Sequence, residues 1–422
     1  MAWMGYFEID GQEIINVSRT ETYAAAYGVS LRKVFRNSAL GPMLGQTYTN
    51  PTTDDAPWMD PIQPESGDFL GVYPLSITGI EDATTFSSVT ESVLDGGVVS
   101  RPRSASRTVV FSALLVATSD CGAEYGMRWL RTALQGGTCT DQSCRGATMC
   151  YLRCEPKTGD TLDTHLRSLH RVSPTLGPVV SLKAPLSGCD SVVWQVDWTM
   201  VAGMPYEFAA ERPLVSNFND GADDFYVNPA YASERYDSDG VTTTEFVCLP
   251  SVYRPVFDPA CPQVIAPPPL PSVAIGCFNF PSEFERRFFT IPAAEIPSWG
   301  QVVPTIELKV GLTDVRNLRL RFYSDVGATG DPTSDPCAYC GDIVFSYLPA
   351  GSTFIFDGVE RVTQVLSPGS PPRRADAVVF KSDGTPFDWP ELSCGFNYLV
   401  TLDLPGGETF PDVSMSLTSK VA

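Results

Sequence analysis

The run Ala266-Pro267-Pro268-Pro269-Leu270-Pro271 restricts what this chain can fold into more than any other stretch. Proline fixes φ and lacks a backbone donor, so such a run favours extended polyproline II and cannot sit inside a sheet. It spaces two bodies semi-rigidly. The strand-rich stretches on either side are therefore expected to be separate domains, residues 1–211 and 273–422, with a loop-rich connector over 212–272. One large domain crossed by an ordered loop is the alternative. Pro268-x-x-Pro271 has the spacing of an SH3-type ligand, but a short motif within a linker has little specificity.

A chain of 422 residues exceeds the roughly 250–300 at which a single core stops growing, which again points to more than one domain. Hydrophobic content of 43% suits globular domains, and the charged fraction of 18% is low. Low charge fits surfaces that become subunit interfaces, because interface cores are depleted in charge. The formal charge of -20 repels a phosphate backbone. Arg101, Arg103 and Arg107, the pair Arg286 and Arg287, and the pair Arg373 and Arg374 are scattered along the chain, and read as solvated or interface charges. The segment Met1 to Glu8 has no basic stretch followed by a long apolar run, so no signal peptide is expected, and no stretch has the length of a membrane span. Twelve cysteines sit awkwardly with a reducing cytosol. A protein assembled inside a cell and working outside it reconciles the two.

The pattern along the chain is mainly β. Tyr6 to Ile9 and Gln12 to Ile15 flank an Asp10-Gly11 turn, a hairpin signal. Ser18 and Glu21 have the spacing of a capping box for a short Ala-rich helix ending at Gly28. Residues 41–74, rich in Pro, Gly, Asp and Thr, read as a long loop of the kind that carries contacts to partners. Arg107 to Val116 is a strong strand, and a helix follows from Ser119, with Met127, Leu130 and Leu134 on one face. Further strands fit 147–154, 165–172 and 191–203, the last burying Trp194, Val196, Trp198 and Met200 on alternate positions. After the connector, about eight short segments with Gly, Pro and Asp turns and no helix predict a β-sandwich or jelly roll.

Catalytic signatures are missing from this pattern, which is read as that of a non-enzyme: there is no G-x-S-x-G, H-E-x-x-H, Walker A or dinucleotide motif. The two histidines, His165 and His170, are five apart, which places them on opposite faces of a strand and disfavours a shared metal. Cys139, Cys144, Cys150 and Cys154 are the densest constellation. On one strand Cys150 and Cys154 would stand about 13 Å apart, too far to bond to each other. Two disulfides to the preceding loop, with Cys121 or Cys189 as further partners, a four-cysteine structural zinc site, and reduced packed thiols are the alternatives. Cys337 and Cys340 form a C-x-x-C before a strand, read as a turn staple, and Cys248 and Cys261 could close another loop. No cofactor beyond such a zinc ion is implied. Trp299, Trp389, Tyr347 and Tyr398 are candidate carbohydrate-binding aromatics, with Trp299 and Trp389 in turn-like contexts.

Several segments together resemble the distal-tail-like minor tail proteins of long-tailed, non-contractile bacteriophages, especially those infecting actinobacteria. They are Glu13-Ile14-Ile15-Asn16-Val17 to Tyr27, the helix Tyr125 to Leu134 leading into Cys139 to Cys154, Trp194-Gln195-Val196-Asp197-Trp198 to Met204-Pro205, and Phe345-Ser346-Tyr347-Leu348-Pro349-Ala350-Gly351-Ser352 with Phe356-Asp357-Gly358. The resemblance implies an N-terminal split β-barrel with a packed helix that forms a ring, trimeric or hexameric, between the tail tube protein and the hub at the tip. It implies a C-terminal accessory sandwich that contacts other minor tail proteins or a host surface glycan, and a place in the virion after assembly in the host cytoplasm. The cysteine-rich insertion and the 41–74 loop depart from shorter members.

Overall fold

The computed structural model describes residues 2–29, 31, 37–83, 85–91, 97–136, 146–185, 192–215, 225–227, 234–236, 242–244, 284–298, 300–324, 339–381, 384–393, 396–405 and 409–421. The proline run lies outside these residues, as do Cys139, Cys144, Cys189, Cys248, Cys261, Cys337 and Trp299. The chain divides into one unit of Met1–Ala210 with Lys420–Ala422 and a second of Glu211–Ser419.

In the first unit, Asp10 and Gly11 both have positive φ, 49° and 76°, and join β1 (Trp3–Ile9) to β2 (Gln12–Asn16) as an antiparallel hairpin. α1 (Val17–Ala26) starts directly after it. Its cap is Asn16 and not the expected Ser18–Glu21 box: Asn16 is extended and its side chain accepts from the Arg19 backbone N–H at 3.1 Å. A cap must be non-helical, and Asn16 ends the strand two residues before Ser18. Ser18 donates instead to the Asn37 carbonyl, and Glu21 accepts from Tyr73 Oη.

A short helix, α2 (Leu40–Met43), opens the expected loop, which closes with a single 3₁₀ turn before β3 (Phe69–Thr78). Two short antiparallel ladders follow, one nested inside the other: β4 (Thr85–Phe86) with β7 (Arg103–Ser104), enclosing β5 (Val89–Glu91) with β6 (Gly97–Val99). Then come β8 (Arg107–Ala117) and α3 (Asp120–Ala133), whose cap Ser119 accepts from Gly122 N at 3.0 Å as the sequence predicts. β9 (Ala147–Leu152), α4 (Leu162–His165), β10 (Leu166–Pro185), β11 (Val192–Ala202) and β12 (Glu207–Ala209) complete the unit, with Lys420 and Val421 pairing to Phe208 and Glu207. The antiparallel order is β2-β1-β9-β10-β11-β8-β3. Trp194, Val196, Trp198 and Met200 point inward, and Trp198 stacks on Phe111 with centroids 4.9 Å apart.

Two glycines allow α3 to lie close to β3. A Cβ at Gly126 would stand 2.5 Å from the Phe69 ring, and one at Gly122 2.6 Å from Asp68 Cβ. Alanine is the better helix former, yet Gly126→Ala is expected to lower stability by about 1–3 kcal/mol because Phe69 is fully buried and cannot retreat. Urea unfolding, read as a lower midpoint at unchanged m, checks this.

The second unit is a two-sheet β-sandwich. Its strands are β13 (Arg212–Val215), β14 (Phe225–Val227), β15 (Glu234–Tyr236), β16 (Thr242–Thr244), β17 (Phe284–Ile291), β18 (Gln301–Lys309), β19 (Val315–Ser324), β20 (Tyr339–Leu348), β21 (Thr353–Asp357), β22 (Val362–Leu366), β23 (Arg373–Arg374), β24 (Val379–Phe380), β25 (Leu392–Ser393), β26 (Tyr398–Pro405) and β27 (Asp412–Val421). One sheet runs β14-β17-β26-β19-β20-β24, and β27-β18-β21-β22-β23 form the other. Leu320, Phe322 and Val400 from the first meet Ile306, Phe354 and Phe356 from the second in one core.

Candidate functional site

Two surface features of the first unit stand apart from its core. Between β3 and β8 the chain leaves the sheet as an arm built from the two nested ladders. Ser100 N donates to Ser88 O at 2.8 Å and Ser88 N to Ser100 Oγ at 2.8 Å, which joins the outer ladder to the inner one. Phe86, Val89, Val98 and Val99 are 55–72% exposed. A two-stranded ribbon is marginal in water by itself, and contiguous exposed apolar residues mark a surface that is covered by something else. The base of the arm is held firmly. Arg107, 2% exposed, donates to the Ile80 carbonyl and pairs with Glu207 at 2.5 Å. Arg103 on the arm is exposed, so the Arg101–Arg103–Arg107 group divides into arm residues and one buried clamp.

The second feature is β10. Over Leu166 to Val172 it pairs with β9 on one edge, and along its other edge it pairs first with β12 and then with β11. Beyond Val172, no described strand pairs with the β9-side edge. Leu176, Val179 and Leu182 on this stretch are 51–58% exposed. Pro174 and Pro178 suit an edge strand and interrupt any continuous ladder, so contact there runs through the apolar side chains more than through the backbone.

Sequence reasoning missed both features. Asp95-Gly96-Gly97 between valine-rich segments is the signal that would have found the arm. Pro174, Gly177 and Pro178 hid the second half of β10, which stays extended through three register shifts.

The residues singled out from sequence fall elsewhere. Among the described residues Cys121, Cys150, Cys154 and Cys340 are free thiols, and no group of three or more His, Cys, Asp or Glu could hold a metal. Cys150 lies on β9 and Cys154 past its end. Burial, with Glu8 adding to it, pushes the Cys150 thiol up to about 12, which leaves it a poor nucleophile at neutral pH. Burial also raises the Cys340 thiol, whose Sγ lies 3.2 Å from the Phe322 carbonyl. His165 ends α4 and meets Asp160 at 2.7 Å, whereas His170 is buried on β10 with Ser168 Oγ 2.9 Å from Nε2. The expectation that both histidines lie on one strand is corrected by α4.

Of the aromatic candidates, Tyr347 is exposed and donates to Asp314 Oδ2 at 3.0 Å. Trp389 is half-buried against Phe356 and Phe387, at 4.5 and 4.9 Å between centroids. Tyr398 is a correction: it is 3% exposed and part of the second core, on the same face of β26 as Val400 and Leu402, so it offers no surface for a sugar.

No protein-family pattern matches the chain. No curated protein matches it. Among solved structures it is similar to the SPP1 Dit protein, described as a paradigm of the hub adsorption apparatus in Gram-positive-infecting phages, at 10% identity and a TM-score of 0.37, over 85% of this chain and 96% of that one. It is also similar to a chain of the phage p2 baseplate in its activated conformation with strontium, at 9% identity and a TM-score of 0.36, over 82% and 90% of the two chains.

Proposed function

We propose that this protein is a structural component of a phage tail tip. Its first unit associates with copies of itself into a ring between the tail tube protein and the tip or baseplate hub, and its second unit is an accessory domain facing other minor tail proteins. The observation that carries the proposal is the pairing of an apolar arm with an apolar strand edge on one unit. Two different patches that must both be covered favour a head-to-tail contact, and a head-to-tail contact that closes gives a ring. The resemblance of the N-terminal and C-terminal segments to distal-tail-like proteins supports the same reading. The proposed location is the virion tail tip, after assembly in the host cytoplasm.

Light scattering on the purified protein, with negative-stain images of the same sample, tests it. The expected mass is that of three, six or more subunits, and Leu182→Asp should convert it to monomer, because a charge within an apolar contact cannot be buried unpaired. A monodisperse monomer that stays monomeric when tail-tube and hub proteins are added would sink the proposal.

A further inference from the structure

The arm leaves the sheet after Ile80 and returns at Arg107. Both residues are buried, and no described residue between them is. Arg107 Nη1 donates to the Ile80 carbonyl and also to Glu207 Oε1, the second at 2.5 Å, while Nε has no acceptor. The tie between the two ends of the arm therefore hangs on one nitrogen, and a carboxylate on another strand aims it.

That strand, β12, is three residues long. On one edge Phe208 and Ala209 pair with Ser168 and Arg167 of β10, and Glu207 has no partner there. On the other edge Val421 of β27 pairs with Glu207, and Lys420 with Phe208. Val421 is thus the one described residue that holds Glu207 in a ladder. Lys420 is 5% exposed, and its ammonium stands 3.9 Å from the centroid of the Tyr206 ring, just before Glu207. Phe208 is 2% exposed and meets the His170 ring edge-on, so the middle of β12 stays seated without β27. The Glu207 end does not, because a short two-stranded ladder is marginal in water and frays first where it lacks a third strand.

We propose that β12 is a latch on the arm, closed by Lys420 and Val421. With this end of β27 in place, Glu207 is fixed, Arg107 is aimed at the Ile80 carbonyl, and the base of the arm is shut. Once it is displaced, Glu207 is released, Arg107 loses its guide, and the base opens. Lys420 is the residue at which the chain re-enters the first unit from Ser419 of the second, so whatever shifts β27 there reaches the arm through β12. The consequence for assembly rests on the reading of the arm as a contact between copies, whereas the latch itself does not.

Hydrogen exchange read by mass spectrometry tests it on the full-length protein, a chain ending at Ser419, Glu207→Gln, and the two changes combined. Amides of 77–80 and 107–110 should exchange about tenfold or more faster in each single variant, because the opening is local. The combination should exchange no faster than the shortened chain alone, since both changes break the same link. Amides of α3 and of Trp194–Met200 should keep the rates of the parent. Unchanged exchange at the base in either variant, multiplied effects in the combination, or acceleration throughout the unit would overturn the proposal. If circular dichroism shows that the chain ending at Ser419 does not fold, one ending at Lys420, which removes only the Glu207 pairing, carries the comparison. Light scattering of the same samples reads the ring separately: an opened base with an unchanged mass sustains the latch and counts against the arm as the contact between copies.

Discussion

Arg19→Met is expected to cost the first unit about 3–5 kcal/mol at neutral pH, because it leaves the Glu13 carboxylate charged and buried without its cation. Arg19 and Glu13 are 5% and 8% exposed, and Arg19 Nε donates to Glu13 Oε1 at 2.7 Å. The guanidinium also donates to Tyr23 Oη at 3.1 Å and Gln46 Oε1 at 3.0 Å, while Asn16 Nδ2 holds the other Glu13 oxygen at 2.7 Å. The network therefore ties β2, α1 and the loop after α2 together, and it is satisfied on every arm. Burial pushes the Glu13 carboxyl above its ordinary range, and Arg19 and Asn16 pull it back. Without Arg19 the rise grows. A carboxyl whose folded pKa lies above its unfolded value stabilises the protein fully below the unfolded pKa, and that contribution is lost as pH rises through the folded pKa. The deficit of Arg19→Met relative to the parent should therefore shrink on acidification toward about pH 4, near the unfolded carboxyl pKa. Adding Glu13→Gln should recover much of the loss at neutral pH, and a double-mutant cycle in urea measures the coupling. A loss below about 1 kcal/mol, or one that does not vary with pH, would show that the pair is not buried as described.

The local signals were legible in the sequence where one physical rule governed a segment alone. Asp10-Gly11 demanded a tight hairpin, Ser119 capped α3, and the alternation of Trp194 to Met200 gave β11 its buried face. They failed where neighbours competed. Ser18 and Glu21 have the capping-box spacing, but a strand that runs to Asn16 moves the helix start upstream and releases both side chains to other partners. The same holds for the sandwich. Tyr398 shares its parity with Val400 and Leu402, a signal of burial that its expected strand already carried. The link from Val421 through Glu207 and Arg107 to the Ile80 carbonyl could not be found from sequence at all, because it exists only once β27, β12 and β8 are brought together. The two candidate assembly patches show a similar limit: Leu176, Val179 and Leu182 lie beyond Val172, the last β10 residue that pairs with β9, and that register cannot be read from either segment by itself.

Trp58→Ala is expected to remove about 3–5 kcal/mol and to open the loop between α2 and β3 while much of the sheet persists. Trp58 lies within the 41–74 loop, which the sequence reading takes as a loop that carries contacts to partners. It is instead 3% exposed, and its Nε1 donates to the Phe69 carbonyl at 2.9 Å. Its ring meets Tyr23 of α1, Phe69 of β3 and Trp129 of α3 at 6.2, 5.0 and 5.6 Å between centroids, mostly edge-to-face. Its carbonyl accepts from Tyr125 Oη at 2.6 Å. One residue of the loop thus touches two helices and a strand, and the loop has no strand or long helix of its own to hold it. Alanine leaves a cavity among residues fixed on rigid elements, which cannot collapse to fill it, and strands the Phe69 carbonyl without its donor. Limited proteolysis should then cut between α2 and the 3₁₀ turn before any other site, whereas the parent resists. Tyr125→Phe, which removes one hydrogen bond and keeps the packing, should cost only about 1 kcal/mol and leave the loop protected. If Trp58→Ala kept the loop protected and lost less than Tyr125→Phe, the loop would be held by its own turns and would be an addition to the fold instead of a part of its core.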